Sequence, residues 1–144
     1  MGKYRWVLFD ADHTLFDFDK ASSEALAEVF IHNNIDWHES LYPDYKKINR
    51  QCWLEHEQGV IDRDTLVYER FRRYFDFMRL DLDPASTQQQ YFSHLSKKPY
   101  LLPGAEEILA LLKGRLRLGY ITNGMKEVQR PRLEMIGSDA LFDV

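Results

Sequence analysis

Two aspartates stand two residues apart in Phe9-Asp10-Ala11-Asp12-His13-Thr14-Leu15, directly after an apolar run. Carboxylates held this close repel one another, so the pair calls for a cation or a shared proton. A hard ion such as Mg2+ suits oxygen donors of this kind, which makes Asp10 and Asp12 candidate metal ligands. With one carboxylate attacking an electrophile and the other moving protons, the pair has the parts for covalent hydrolysis. Taken alone, Asp-x-Asp is weak and reads better as a turn capping a strand. Its place after a strand and before Thr14-Leu15 favours the chemical reading. A second cluster, Ile121-Thr122-Asn123-Gly124, offers a hydroxyl, a carboxamide and a glycine-loosened backbone. These are donors suited to phosphate oxygens. Alone it would be an Asn-Gly turn; two such clusters, each closing an apolar run, point to one site.

Both clusters need strands to carry them. Residues 4–9 (Tyr-Arg-Trp-Val-Leu-Phe) read as a short buried strand, and 116–121 (Leu-Arg-Leu-Gly-Tyr-Ile) as another. Carboxylates at the exit of a strand occupy the usual ligand crevice of an α/β sheet. Between the strands the period is helical. Leu26, Val29 and Phe30 mark one helix, and Leu41, Tyr45, Ile48 and Cys52 a second with Gly59 as its stop. Asp62 opens a third through Leu66, Val67, Phe71, Phe75 and Met78, and Asp83-Pro84 a fourth through Tyr91, Phe92 and Leu95. Four apolar-striped helices in succession suggest a small bundle. A further helix covers 105–113 with Gly114 as its stop, and another 126–136, where Pro131 should bend it or delay its start. Leu141-Phe142-Asp143-Val144 has the pattern of a third strand's opening.

Thr14 and Thr122 are 108 positions apart, whereas a βαβ unit needs only about 30 residues. Roughly 80 residues are therefore inserted. The expected organisation is an α/β core with a parallel sheet, residues 1–15 and 99–144, interrupted by a helical cap, residues 16–98. Composition agrees: of 20 aromatic residues, 15 fall between Phe16 and Tyr100. The net charge of −4 argues against nucleic acid or an anionic membrane as the main partner. Cys52, the one cysteine, excludes an internal disulfide scaffold. No apolar run approaches the ~20 residues of a membrane span, and the acid at position 10 comes too early for a signal peptide. A cytoplasmic protein is expected.

Together the motifs resemble those of the haloacid dehalogenase superfamily, whose first motif is an apolar strand ending in D-x-D-x-T and whose second is a strand ending in Ser or Thr. The resemblance implies an incomplete Rossmann-like core with an inserted four-helix cap. It implies that Asp10 is the nucleophile that forms an aspartyl-phosphate. Asp12 would protonate the leaving group, then activate water, its backbone carbonyl helping to bind Mg2+. Thr122 would hold the phosphoryl group, with Asn123 and Thr14 beside it. Dehalogenases lack an acid at the position of Asp12, so the chain looks like a phosphatase. The motif Phe9 to Asp19, Leu102-Pro103-Gly104-Ala105, and Ile121-Thr122-Asn123-Gly124 with Val128-Gln129 and Arg132-Leu133-Glu134 are similar to pyrimidine 5′-nucleotidases of the YjjG type. A nucleoside monophosphate, a small phosphomonoester, is then the expected substrate. Phe16 and Phe18, at the entry to the cap, are candidates for its wall.

The same resemblance calls for a later lysine and a further acidic metal ligand, and no residue up to Val144 fills either place. The chain is expected to be truncated before them and at most weakly active alone. The alternative is a non-catalytic remnant that binds a partner or a phosphate ligand. A phospho-accepting receiver domain is disfavoured by the large insertion. His13 is expected to be a variable motif position. Trp37, Trp53 and Tyr74 to Phe77 are expected in the bundle core, and Arg70, Arg72 and Arg73 on a solvated face.

Overall fold

A computed structural model describes residues 2–144. Strand β1 (Trp6–Asp10) and strand β2 (Arg117–Ile121) pair in parallel, with Trp6 opposite Arg117 and Asp10 opposite Ile121. That register brings both polar clusters to the same carboxyl end of the sheet. The pairing leaves no space at Gly119, where an added Cβ would lie 2.7 Å from Cδ2 of Leu8. β1 is not the buried strand expected. Val7 and Phe9 turn inward, while Leu8 is 60% exposed, because among the described residues β2 is its one strand partner. The chain end lies beside β2: Asp143 N donates to Leu118 O at 2.6 Å, and Val144 O accepts from Tyr120 N at 3.2 Å. The third strand expected to open at Leu141 is not formed among the described residues: Ser138–Leu141 is a short helix, and Asp143 and Val144 only run beside β2.

Five further α-helices come before β2: α1 (Phe18–His32), α2 (Tyr42–Glu57), α3 (Arg63–Met78), α4 (Pro84–Leu95) and α5 (Ala105–Leu112). Helix α6 (Lys126–Met135) follows β2, and α7 is Ser138–Leu141. The starts predicted from polar residues hold. Asp62 accepts from Thr65 N at 2.7 Å, and Asp83 from Ser86 N at 2.7 Å. Pro131 sits inside α6 and does not delay its start. None of the described helices is long and apolar enough to cross a membrane.

The chain divides into two compact units, one formed by the residues up to Glu24 with Leu95–Val144, the other by Ala25–His94. Residues 16–24 and 95–98, expected with the cap, group with the core unit. Local bonds explain this. Asp17 N donates to Tyr100 O at 2.8 Å, Tyr100 Oη donates to Glu24 at 2.5 Å, and Lys20 lies over the Tyr100 ring. The core unit packs Ala11, Leu15, Phe16, Ala105, Leu109, Leu118, Leu133 and Phe142 into one cluster.

The helical unit is built on aromatic rings. Tyr45 lies 5.6 Å from Phe71, 5.4 Å from Tyr74 and 5.9 Å from Tyr91, centroid to centroid. Aromatic burial of this kind supplies large apolar area in few residues. Tyr74 and Phe75 are buried as expected, whereas Phe77 is exposed. Burial pushes the Cys52 thiol up, as for an inert core cysteine. Arg70 departs from the solvated face expected of it: it is buried against Phe71, Tyr91 and Phe92. Arg72 and Arg73 stay at the surface and pair with Glu69, Asp76 and Glu55.

Candidate active site

Asp10 is the last residue of β1 and is exposed. Its Oδ2 accepts one long hydrogen bond, from Thr14 Oγ1 at 3.3 Å, so the carboxylate stays open to a ligand. Beyond it the chain folds into a tight loop. Leu15 N and Phe16 N both donate to Ala11 O at 2.9 Å, and His13 takes a positive φ of 63° to close the turn. His13 is exposed and its ring meets Phe18 at 5.3 Å, which makes it a turn residue. The loop is anchored by Ala11, Leu15 and Phe16, all buried in the core cluster. This leaves Asp10 and Asp12 on its polar side.

Asp12 differs sharply from Asp10. Its Oδ2 accepts from Gln129 Nε2 at 2.7 Å and its Oδ1 from Arg132 Nη1 at 2.9 Å. Gln129 and Arg132 lie three apart on α6 and therefore share a helix face. Gln129 Nε2 also donates to Thr122 Oγ1 at 2.8 Å, so one carboxamide joins the two motifs. Gln129 Oε1 in turn accepts from Arg132 Nη1 at 2.8 Å.

Arg132 is fully buried, with its guanidinium 4.3 Å from the Phe16 ring centre. Both hydrogen bonds leave from Nη1, while Nε and Nη2 have no partner. Each buried unpaired polar group costs about 1–3 kcal/mol. A side chain placed for stability alone would avoid that.

Of the residues predicted from sequence, Asp10, Asp12, Thr14 and Thr122 come together here. Asn123 is exposed in the loop after β2. Phe18 is half-buried at the start of α1, whereas Phe16, expected in a substrate wall, is fully buried under Arg132. The core is where its ring is used. Gln129 and Arg132 were given no role from sequence. The available signal was their spacing: two polar residues beside Val128 and Leu133 on the buried face of a helix.

Asp12 bears directly on metal binding. Its carboxylate is engaged by the Arg132 guanidinium, which repels a cation, and the resemblance implies that Asp12 would offer a metal its backbone carbonyl. Asp10 carries an open carboxylate. Hard oxygen donors of these two kinds suit Mg2+, which commonly keeps several waters. Among the described residues, no group of three His, Cys, Asp or Glu side chains forms a metal cluster.

Paired aspartates at one strand end of a parallel sheet and a threonine at the next are the arrangement that the resemblance to haloacid dehalogenase-type hydrolases implies. The chain belongs to the haloacid dehalogenase-like hydrolase family, whose model matches residues 4–144. It is 31% identical over 142 residues to pyrimidine 5′-nucleotidase YjjG of Escherichia coli, a match covering 99% of this chain and 61% of that protein. To pyrimidine 5′-nucleotidase PynA of Streptococcus pneumoniae it is 31% identical, over 97% of this chain and 60% of the relative. The crystal structure of the HAD-hydrolase YfnB of Bacillus subtilis bound to magnesium superposes with a TM-score of 0.91 at 32% identity, covering 99% of this chain and 64% of that one. The chain thus spans about 60% of the length of the curated relatives it matches.

Proposed function

We propose that the protein containing this chain is a phosphomonoesterase acting on nucleoside 5′-monophosphates through an aspartyl-phosphate on Asp10. The observation carrying this reading is the Gln129 bridge, which ties the proton-handling candidate Asp12 to the phosphate-binding candidate Thr122 at the strand end that carries Asp10. The identity to two pyrimidine 5′-nucleotidases supports the substrate class.

In the first step an Asp10 oxygen attacks phosphorus and the bond to the ester oxygen breaks. Asp12 delivers its proton to that departing oxygen, which a nucleoside requires because its alkoxide is a poor leaving group. Thr122, with Asn123 near it, steadies the phosphoryl oxygens, and Thr14 holds the Asp10 carboxylate in place. In the second step Asp12 takes a proton from water as that water attacks the aspartyl-phosphate, so phosphate leaves and Asp10 is regenerated. Mg2+, held by the Asp10 carboxylate and the Asp12 backbone carbonyl, would offset the charge of the phosphate dianion. The two donors among the described residues form a thin shell. This favours a second reading for residues 1–144 in isolation: phosphate binding with little or no turnover.

Phosphate release from a panel of nucleoside monophosphates tests the proposal. The whole product of the coding sequence should release phosphate in the presence of Mg2+, with pyrimidine nucleotides favoured. Asp10→Asn should abolish release, a loss of at least about 10^3-fold for removal of a nucleophile. Undiminished turnover in that variant would end the proposal.

A further inference from the structure

A threonine hydroxyl has one hydrogen to donate and two lone pairs to accept with. In Thr122 both lone pairs are taken, by Gly124 N at 3.0 Å and by Gln129 Nε2 at 2.8 Å. The hydroxyl is left with donation alone. Gln129 cannot reverse this by turning its amide over, because its Oε1 accepts from Arg132 and a guanidinium only donates. Arg132 therefore sets the polarity of the whole network. Its Nη1 gives one hydrogen to Gln129 Oε1 and one to Asp12 Oδ1. Gln129 Nε2 gives one to Asp12 Oδ2 and one to Thr122 Oγ1.

Resting on the phosphatase reading above, we infer that Arg132 and Gln129 are positioning residues for that reaction. Arg132 fixes the orientation of the Asp12 carboxylate, and Gln129 makes Thr122 an obligate donor toward a phosphoryl oxygen. Neither needs to touch substrate. Two observations separate this from a merely structural role. Arg132 is fully buried with two nitrogens unpaired, a poor arrangement for stability. The loop is also shaped to admit Gln129: a Cβ on Gly124 would overlap its side chain, 2.8 Å from Cγ and Cδ.

The test compares two esters in the whole product of the coding sequence. A nucleoside monophosphate needs a proton on its leaving group, whereas p-nitrophenyl phosphate releases a stable phenolate without one. Arg132→Met should lower the single-turnover rate of nucleoside release from the nucleotide about 10- to 100-fold, the usual effect of losing a group that orients an active-site residue. On the aryl ester the single-turnover burst of p-nitrophenolate, which reads the phosphorylation step alone, should fall less than about 3-fold, since no general acid is required there. Arg132→Lys should restore part of the nucleotide rate. Gln129→Met should slow both esters and weaken inhibition by inorganic phosphate, because Thr122 is released as well. Equal losses in this first step on both esters in Arg132→Met, at unchanged Tm, would overturn the assignment.

If the wild type hydrolyses neither ester, the phosphatase reading falls, and positioning is decided by NMR. Three-bond couplings across χ1 of Asp12 should report one rotamer in the wild type and averaging in Arg132→Met and Gln129→Met. One fixed rotamer in all three would refute positioning.

Discussion

Among the described residues two arginines are buried, and their surroundings have little in common. Arg70, in the helical unit, is 4% exposed and ringed by neutral acceptors: Gln88 Oε1 at 2.7 Å, Asn49 Oδ1 at 3.3 Å and Val67 O at 3.4 Å. Three aromatic rings lie within 5.6 Å of its guanidinium. Arg132, in the core unit, faces a carboxylate and a carboxamide through a single nitrogen and leaves two others unpaired. The first arrangement spreads its donors over all three nitrogens and organises a bundle core. The second concentrates them on Asp12 and on the Gln129 carboxamide that joins Asp12 to Thr122. Burial is common to both arginines; the distribution of their donors is what sets them apart, and on the proposed function it separates a structural arginine from a positioning one.

The largest effect that sharpens this contrast is on Arg70. Arg70→Met strands the buried oxygens of Asn49 and Gln88, and should destabilise the protein by about 2–4 kcal/mol. Chemical denaturation followed by circular dichroism measures it. The ratio of nucleotide to aryl-ester turnover should stay at the wild-type value. A changed ratio would break the distinction between the two arginines.

Next in size is the loop that admits Gln129. Gly124→Ala places a methyl group against the Gln129 side chain, 2.8 Å from Cγ and Cδ. Forcing an added carbon into a packed site costs about 1–3 kcal/mol. The hydrogen bonds from Gln129 to Asp12 and Thr122 should be the first to give way. Thermal unfolding and nucleotide turnover should therefore fall together here, unlike in Arg70→Met. Retention of the wild-type rate would mean that the bridge tolerates displacement.

Much of this was legible in the sequence, for local reasons. The strand before Asp10 and the strand before Thr122 are short apolar runs closed by polar turns. The helix starts at Asp62 and Pro84 are set by side chains within three residues. Hydrogen bonds from Gln129 and Arg132 to Asp12 cross 117 and 120 positions, and no local pattern encodes a contact of that range. Arg70 was hidden for a different reason. Beside Arg72 and Arg73 it reads as one of a charge cluster. Yet it falls four residues after Leu66 and four before Tyr74, on the apolar stripe. Phase along the helix was the better guide to its burial than the charges of its neighbours.

The smallest effect belongs to the surface arginines of α3, the third kind of environment. Hydrogen bonds from Arg72 at 2.6 and 2.8 Å, helped by Arg73, hold the Glu69 carboxyl down to about 2, against a usual value of 4.5. A carboxyl lowered on folding adds stability above its unfolded pKa, and that stability is lost as protons return. The loss should therefore run from about pH 4.5 down to about pH 2. Arg72 is half-exposed, so solvent and salt reduce the pair's worth to no more than about 1 kcal/mol. Melting temperatures taken through this window should fall more steeply in the wild type than in Glu69→Gln, and the two curves should converge near the acid end. Parallel curves would show that the ion pair adds nothing to folding.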